Sequence, residues 1–160
     1  MIFETYKKIY VLGHKENETI FADKDDEIVV EEKIDGGNMR YFIKDGIIIM
    51  GSRTQQITSD EGEDANINKM FLECVKLIRE TLSKFSKEEL KPFEHLIFYG
   101  ENCVKHTMEY DWKKIPRYLG YDILNTQNNK FIAYPDVKEV FEQEVKLSVG
   151  ERYKRERIWG

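Results

Sequence analysis

Residues 28–50 read IVVEEKIDGGNMRYFIKDGIIIM, and the punctuation of this stretch decides the fold class. Two β-prone runs, Met39 to Lys44 and Ile47 to Met50, are separated by Asp45-Gly46. An Asp-Gly pair between such runs signals a two-residue hairpin, because both central residues must take positive φ. Upstream, Ile28-Val29-Val30 leads into Glu32-Lys33-Ile34 and then breaks at Gly36-Gly37-Asn38. Residues 27–52 therefore read as three successive strands, with Lys33 ending the first.

Downstream of the hairpin, Thr58 to Asp64 is an acidic, polar loop in which Ser59 or Asp60 can cap a helix. Ile67, Met70, Phe71, Cys74, Leu77, Ile78, Leu82 and Phe85 then recur at helical spacing. That spacing predicts one long amphipathic helix whose apolar stripe is buried on the sheet. Leu96 to Cys103 and Tyr118 to Leu124 are apolar runs of strand length, and Asn128-Asn129 reads as a turn into Phe131-Ile132-Ala133. Pro135 is placed to open a short helix reaching Phe141, and Val145 to Val149 reads as a last strand. The fold class is α+β, with antiparallel sheets and one long amphipathic helix.

Composition bounds what such a chain does. At 160 residues, 41% hydrophobic and 34% charged, it is expected to be one domain over residues 1–160, built around one core. No apolar run approaches the roughly 20 residues of a membrane span, and Met1-Ile2-Phe3-Glu4 lacks the features of a signal peptide, so a cytoplasmic location is expected. The two cysteines, Cys74 and Cys103, are too few for a disulfide framework and are expected to be reduced thiols in or near the core. His14, His95 and His106 show no metal-binding spacing, so no metal ligand is assigned. A net charge of −5 argues against a protein that coats nucleic acid through phosphate contacts alone. Basic residues do cluster locally, at Lys113, Lys114 and Arg117 and again at Lys146, Arg152, Lys154, Arg155 and Arg157.

The chemistry concentrates at Glu32-Lys33-Ile34-Asp35-Gly36-Gly37-Asn38. A lysine at a strand end, beside an acid and a glycine turn, suits an amine nucleophile. Lysine is protonated near neutral pH, so attack on phosphorus requires desolvation, a neighbouring cation or a metal. Glycines beside it let backbone approach a bulky ligand without a Cβ clash.

Taken in order, these residues resemble the covalent nucleotidyltransferase superfamily of ligases and capping enzymes, and within it the ATP-dependent RNA ligases of the RNA ligase 2 type. Tyr6-Lys7-Lys8-Ile9 and Leu12-Gly13-His14-Lys15 look like the lead-in to the first motif. Lys33-Ile34-Asp35-Gly36 matches the nucleophile motif, and Asn38 stands where DNA ligases and capping enzymes usually have arginine. Gly51-Ser52-Arg53-Thr54 looks like the next motif, Phe98-Tyr99-Gly100-Glu101 like the third, and Tyr118-Leu119-Gly120-Tyr121-Asp122-Ile123 like the fourth. The resemblance implies a partial nucleotidyltransferase (ATP-grasp-like ligase) domain in which Lys33 takes up AMP. It also implies a nucleotide pocket drawing on Glu32, Ile34, Asp35, Gly36, Asn38, Arg53, Glu101 and Tyr121. Within it Glu101 binds the ribose, Tyr121 stacks on the purine, and Arg53 lies near the nucleotide or the nicked strand. ATP and Mg²⁺ are the implied cofactors, and RNA ends are the implied partner.

The resemblance runs from about Tyr6 to Phe141 and omits the family's later motifs. After Asp122 the chain has neither the Glu-Gly element associated with metal nor a Lys-x-Lys strand to contact the triphosphate. A second chain, or a segment beyond Gly160, would have to complete the site. Two alternatives stay open on the sequence: a catalytically silent module of the same fold that binds nucleic-acid ends, and a fragment of a DNA ligase or capping enzyme.

Overall fold

The computed structural model describes residues 5–23, 25, 28–64, 67–104, 109–147 and the backbone of 152–154. Its centre is a five-stranded antiparallel sheet in the order β3-β2-β4-β5-β6. These strands are β2 (Gly37–Lys44), β3 (Ile47–Gly51), β4 (Leu96–Asn102), β5 (Tyr118–Asn125) and β6 (Lys130–Phe131). The expected hairpin is present: Lys44 pairs with Ile47, and Asp45 and Gly46 have φ of 53° and 78°. A separate ribbon pairs β1 (Val29–Glu31) with β7 (Arg152–Lys154). Strand β1 ends at Glu31, so Lys33 lies in the link between the ribbon and the large sheet rather than at a strand end.

Alternation along β2 sorts its side chains onto two faces. Met39, Tyr41 and Ile43 join the main core with Phe98, Tyr118 and Ile123. Against that face pack α1 (Leu72–Leu82), through Cys74, Val75, Ile78 and Leu82, and α3 (Tyr134–Glu139), through Val137. Tyr41 stacks on Phe98 with centroids 4.6 Å apart, and Phe141 meets Phe98 edge-on at 5.6 Å. Both cysteines are buried free thiols, and burial pushes Cys103 up to about 12.

The helix predicted from residue 67 starts later than its apolar spacing suggests. Asn68, not Ser59 or Asp60, caps a short 3₁₀ turn at Lys69–Phe71 that runs into α1, accepting from Met70 N–H at 3.2 Å. The acidic loop is held elsewhere: Thr58 Oγ1 accepts from Met50 N–H at 2.8 Å, and Arg79 reaches Asp64 at 2.6 Å. Pro135 opens α3 as expected, but the chain then widens into a π-helical turn over Val140–Glu144, and residues 145–147 are not a strand. Ser148 and Val149, the rest of the expected strand, lie outside the described residues. None of the helices described is long and apolar enough to cross a membrane.

Candidate functional site

The second face of the sheet carries a smaller apolar cluster of Phe42, Ile49, Ile97, Tyr99 and Leu124. Beside it the motif residues converge. Asn38 on β2 pairs with Glu101 on β4, and Glu101 with Leu119 on β5. The Glu101 carboxylate accepts Gly36 N–H at 3.0 Å, tying the lysine loop to the sheet. Gly36 must be glycine for this approach, because a Cβ there would stand 2.4 Å from the carbonyl oxygen of Asn102. The close neighbour is therefore β4, where the sequence suggested a ligand.

Tyr121 reaches the site through an irregularity. Tyr99 pairs with Asp122 and Gly100 with Gly120, so Tyr121 is an extra residue in β5, a β-bulge. A bulge breaks alternation and re-aims a side chain. Here it puts Tyr121 and Asp122 on the same face, the one that carries Asn38 and Glu101. Tyr121 Oη accepts from Asn38 Nδ2 at 2.5 Å. Asn38 Oδ1 is buried and has no hydrogen-bond partner among the described residues. Burial, with Glu101 and Asp122 nearby, holds the Tyr121 hydroxyl well above its ordinary pKa.

Tyr6 is a site residue that the motif pattern missed. Its ring meets Tyr121 and Tyr99, each at 5.1 Å, and its hydroxyl donates to Asp122. Burial and the Asp122 carboxylate raise the Tyr6 pKa strongly, so the phenol stays protonated. The sequence signal was present in the lead-in Tyr6-Lys7-Lys8-Ile9, but nothing there showed which strand it would cover.

The large cleft opens beside this cluster. Its volume is about 670 Å³, and Glu32, Ile34, Tyr110, Leu119, Lys114 and Lys146 are among its walls. Glu32 and Ile34 flank Lys33, which is exposed and is not among the lining residues. Tyr121 does not line it either, whereas Leu119 of the same strand does. Tyr110 belongs to none of the motifs, yet its hydroxyl accepts Asp35 N–H at 3.3 Å and so braces the lysine loop from the cleft side. Arg53 is exposed in the turn after β3, where Ser52 N–H donates to Gln55 O at 2.8 Å. It lies at the sheet end at which β2 begins. Of the basic cluster, Arg155 and Arg157 lie outside the described residues.

The arrangement offers apolar walls for a flat group, lysines and carboxylates on the rim, and a buried amide oxygen awaiting a donor. Among the described residues, no group of three or more His, Cys, Asp or Glu side chains is placed to hold a metal ion.

No curated protein matches the chain. Among solved structures, a Naegleria gruberi RNA ligase with PPi superposes with a TM-score of 0.51 at 14% identity, over 79% of this chain and 35% of that one. A mutant of the Naegleria ligase, solved with ATP and Mn, gives a TM-score of 0.50 at 14% identity over 81% and 37%. An archaeal ATP-dependent RNA ligase gives 0.52 at 15% identity over 79% and 32%. At such identities the likeness shows the fold, and the chain spans about a third of the length of these ligases. The RNA ligase family matches across residues 26–158, which takes in the lysine loop and strands β1 to β7, and the chain belongs to that family.

Proposed function

We propose that this chain supplies the nucleophile and nucleotide-binding face of an ATP-dependent RNA ligase, with Lys33 forming a lysyl-AMP intermediate. The observation that carries the reading is the convergence of the lysine loop, Glu101 and Asn38 beside a cleft walled by both neighbours of Lys33. An adenine nucleotide suits the cleft, where Ile34 and Leu119 already flank open space; Asn38 Oδ1 is a buried acceptor outside its lining, which a ribose hydroxyl reaches only once neighbouring side chains move. The Tyr6 ring meets Tyr121 at 5.1 Å, whereas Ile34 and Leu119 line the open cleft.

In the reaction, the neutral Lys33 amine forms a P–N bond to the α-phosphorus of ATP. The bond from that phosphorus to the bridging oxygen breaks, and pyrophosphate leaves with the electron pair. An oxygen of the RNA 5′-phosphate then attacks that phosphorus, the P–N bond breaks and the Lys33 amine leaves and takes up a proton; a 3′-hydroxyl finally attacks the 5′-phosphate, loses its proton to solvent and displaces AMP. Within this scheme Glu101 holds both the lysine loop and the ribose, and Arg53 serves the strand side. A divalent cation, Mg²⁺ or the Mn of the Naegleria structures, supplies charge neutralisation at the phosphoryl oxygens. Among the described residues no group of three or more His, Cys, Asp or Glu side chains is placed to hold it.

Incubation with α-labelled ATP and divalent metal tests the proposal. The 160-residue chain is expected to bind ATP weakly and to label slowly or not at all, any label being lost in Lys33→Ala. Label that survives Lys33→Ala would end the assignment of the nucleophile, and absence of any adenine-nucleotide binding would end the reading as a whole.

A further inference from the structure

Three non-glycine residues among those described have positive φ: Asp45 at 53°, Asn129 at 55° and Lys146 at 61°. The first two lie in hairpin turns, where Asp and Asn tolerate left-handed backbone. Lys146 has no such reason to be there. It follows the π-helical turn Val140–Glu144, in a position after a helical run that glycine ordinarily fills. Val145 N–H donates to Val140 O at 2.9 Å, Leu147 N–H donates to Phe141 O at 2.8 Å, and Leu147 is buried in the core. These bonds fix the backbone, so the lysine is held in a conformation that its Cβ disfavours.

Lys146, so placed, is among the residues that line the cleft, whose other walls include Glu32 and Ile34, either side of Lys33. Lys114 lines it too, but its ammonium is shared with Asp111 at 3.0 Å. Glu32 and Glu142 supply the acids of the lining. We propose that Lys146 is a phosphate-binding residue, its ammonium holding a phosphoryl group of a ligand whose apolar end lies against Ile34 and Leu119. The inference rests on the nucleotide reading above and goes beyond it, because Lys146 lies in none of the motifs. Two ligands present that chemistry beside Lys33: the polyphosphate of the nucleotide and the 5′-phosphate of an RNA end.

Equilibrium binding of ATP, adenosine and RNA oligonucleotides with 5′-phosphate or 5′-hydroxyl ends, measured on wild type, Lys146→Gly and Lys146→Arg, separates the cases. Lys146→Gly is expected to lose roughly tenfold in ATP affinity, the scale of one charge-assisted contact, while keeping adenosine affinity. Its thermal midpoint should be unchanged or higher, since glycine relieves the backbone, and Lys146→Arg should retain ATP binding. A loss confined to the 5′-phosphorylated RNA would support the same contact with the RNA end as its ligand. Wild-type affinity for both ligands in Lys146→Gly, or a parallel loss for adenosine, would overturn the proposal. A wild-type chain that binds none of the ligands would instead overturn the nucleotide reading on which it rests.

Discussion

The two faces of the five-stranded sheet are built from the same strands, yet they follow different rules. On one, Met39, Tyr41, Phe98 and Tyr118 are fully buried beneath α1 and α3, and what matters is filled volume. On the other, Asn38, Glu101, Tyr121 and Asp122 share a surface with a small apolar cluster, and what matters is which polar atom meets which. Adjacent residues of one strand therefore carry stability and function separately. Damage to the first face should unfold the chain, and damage to the second should leave it folded and impair the site.

The largest effect is expected where volume is removed from the core face. Phe98→Ala deletes a ring packed on Tyr41 and Phe141 and should cost about 3–5 kcal/mol in denaturant unfolding, enough to leave little folded chain. Gly120→Ala tests whether the glycines inside the motifs belong to the site or to the core. Its added Cβ would lie 2.4 Å from the Phe141 ring, so a loss of about 1–3 kcal/mol is expected, with the site suffering only through unfolding. Nucleotide binding lost from a Gly120→Ala chain of undiminished stability would blur the division between faces.

Smaller again is Tyr6→Phe on the second face, which removes the hydroxyl bonded to Asp122 and keeps the ring. About 1 kcal/mol is expected, read as a shift in denaturation midpoint. Its pH dependence sharpens the contrast. The folded-state pKa of Tyr6 is raised, so its contribution is fully present below the ordinary tyrosine pKa near 10 and is lost as pH climbs above it. Tyr41, Tyr118 and Tyr121 are raised as well, and Cys103, at about 12 against an ordinary value of 9.0, begins to draw on stability sooner. Alkaline titration should therefore weaken the fold from about pH 9 upward, with Tyr6→Phe flattening only the upper part of the curve. A Tyr6→Phe profile parallel to wild type throughout would show that Tyr6 titrates alike in the folded and unfolded chain, against the rise that burial and Asp122 give it.

Much of the core face was legible because periodicity reports burial. The Asp45-Gly46 hairpin and the runs that became β4 and β5 needed nothing beyond their own residues. The same alternation also arises from a different structure. Val145 and Leu147 are both buried around an exposed Lys146, which mimics a strand, yet hydrogen bonds to Val140 and Phe141 make the segment the exit of a π-helical turn. Ser59 and Asp60 are good caps in isolation, but bonds from Met50 to Ile57 and Thr58 and the Gly51–Gln56 bridge hold their loop against β3, away from the helix start. At the site, the motif order located Glu101 and Asn38 beside the lysine loop. Tyr6 and Tyr110 were not foreseen as its braces, since each acts across more than 70 residues of sequence and neither stands in a motif that requires it.

The irregularity in β5 gives that strand a useful slack. Tyr118 and Gly120 before it, and Ile123 after it, already face as they would in an uninterrupted strand, so excising Tyr121 alone would leave both halves in step with β4. A single-codon gain or loss at this point changes the ring that meets Asn38 and Tyr6 without asking the main core to refold.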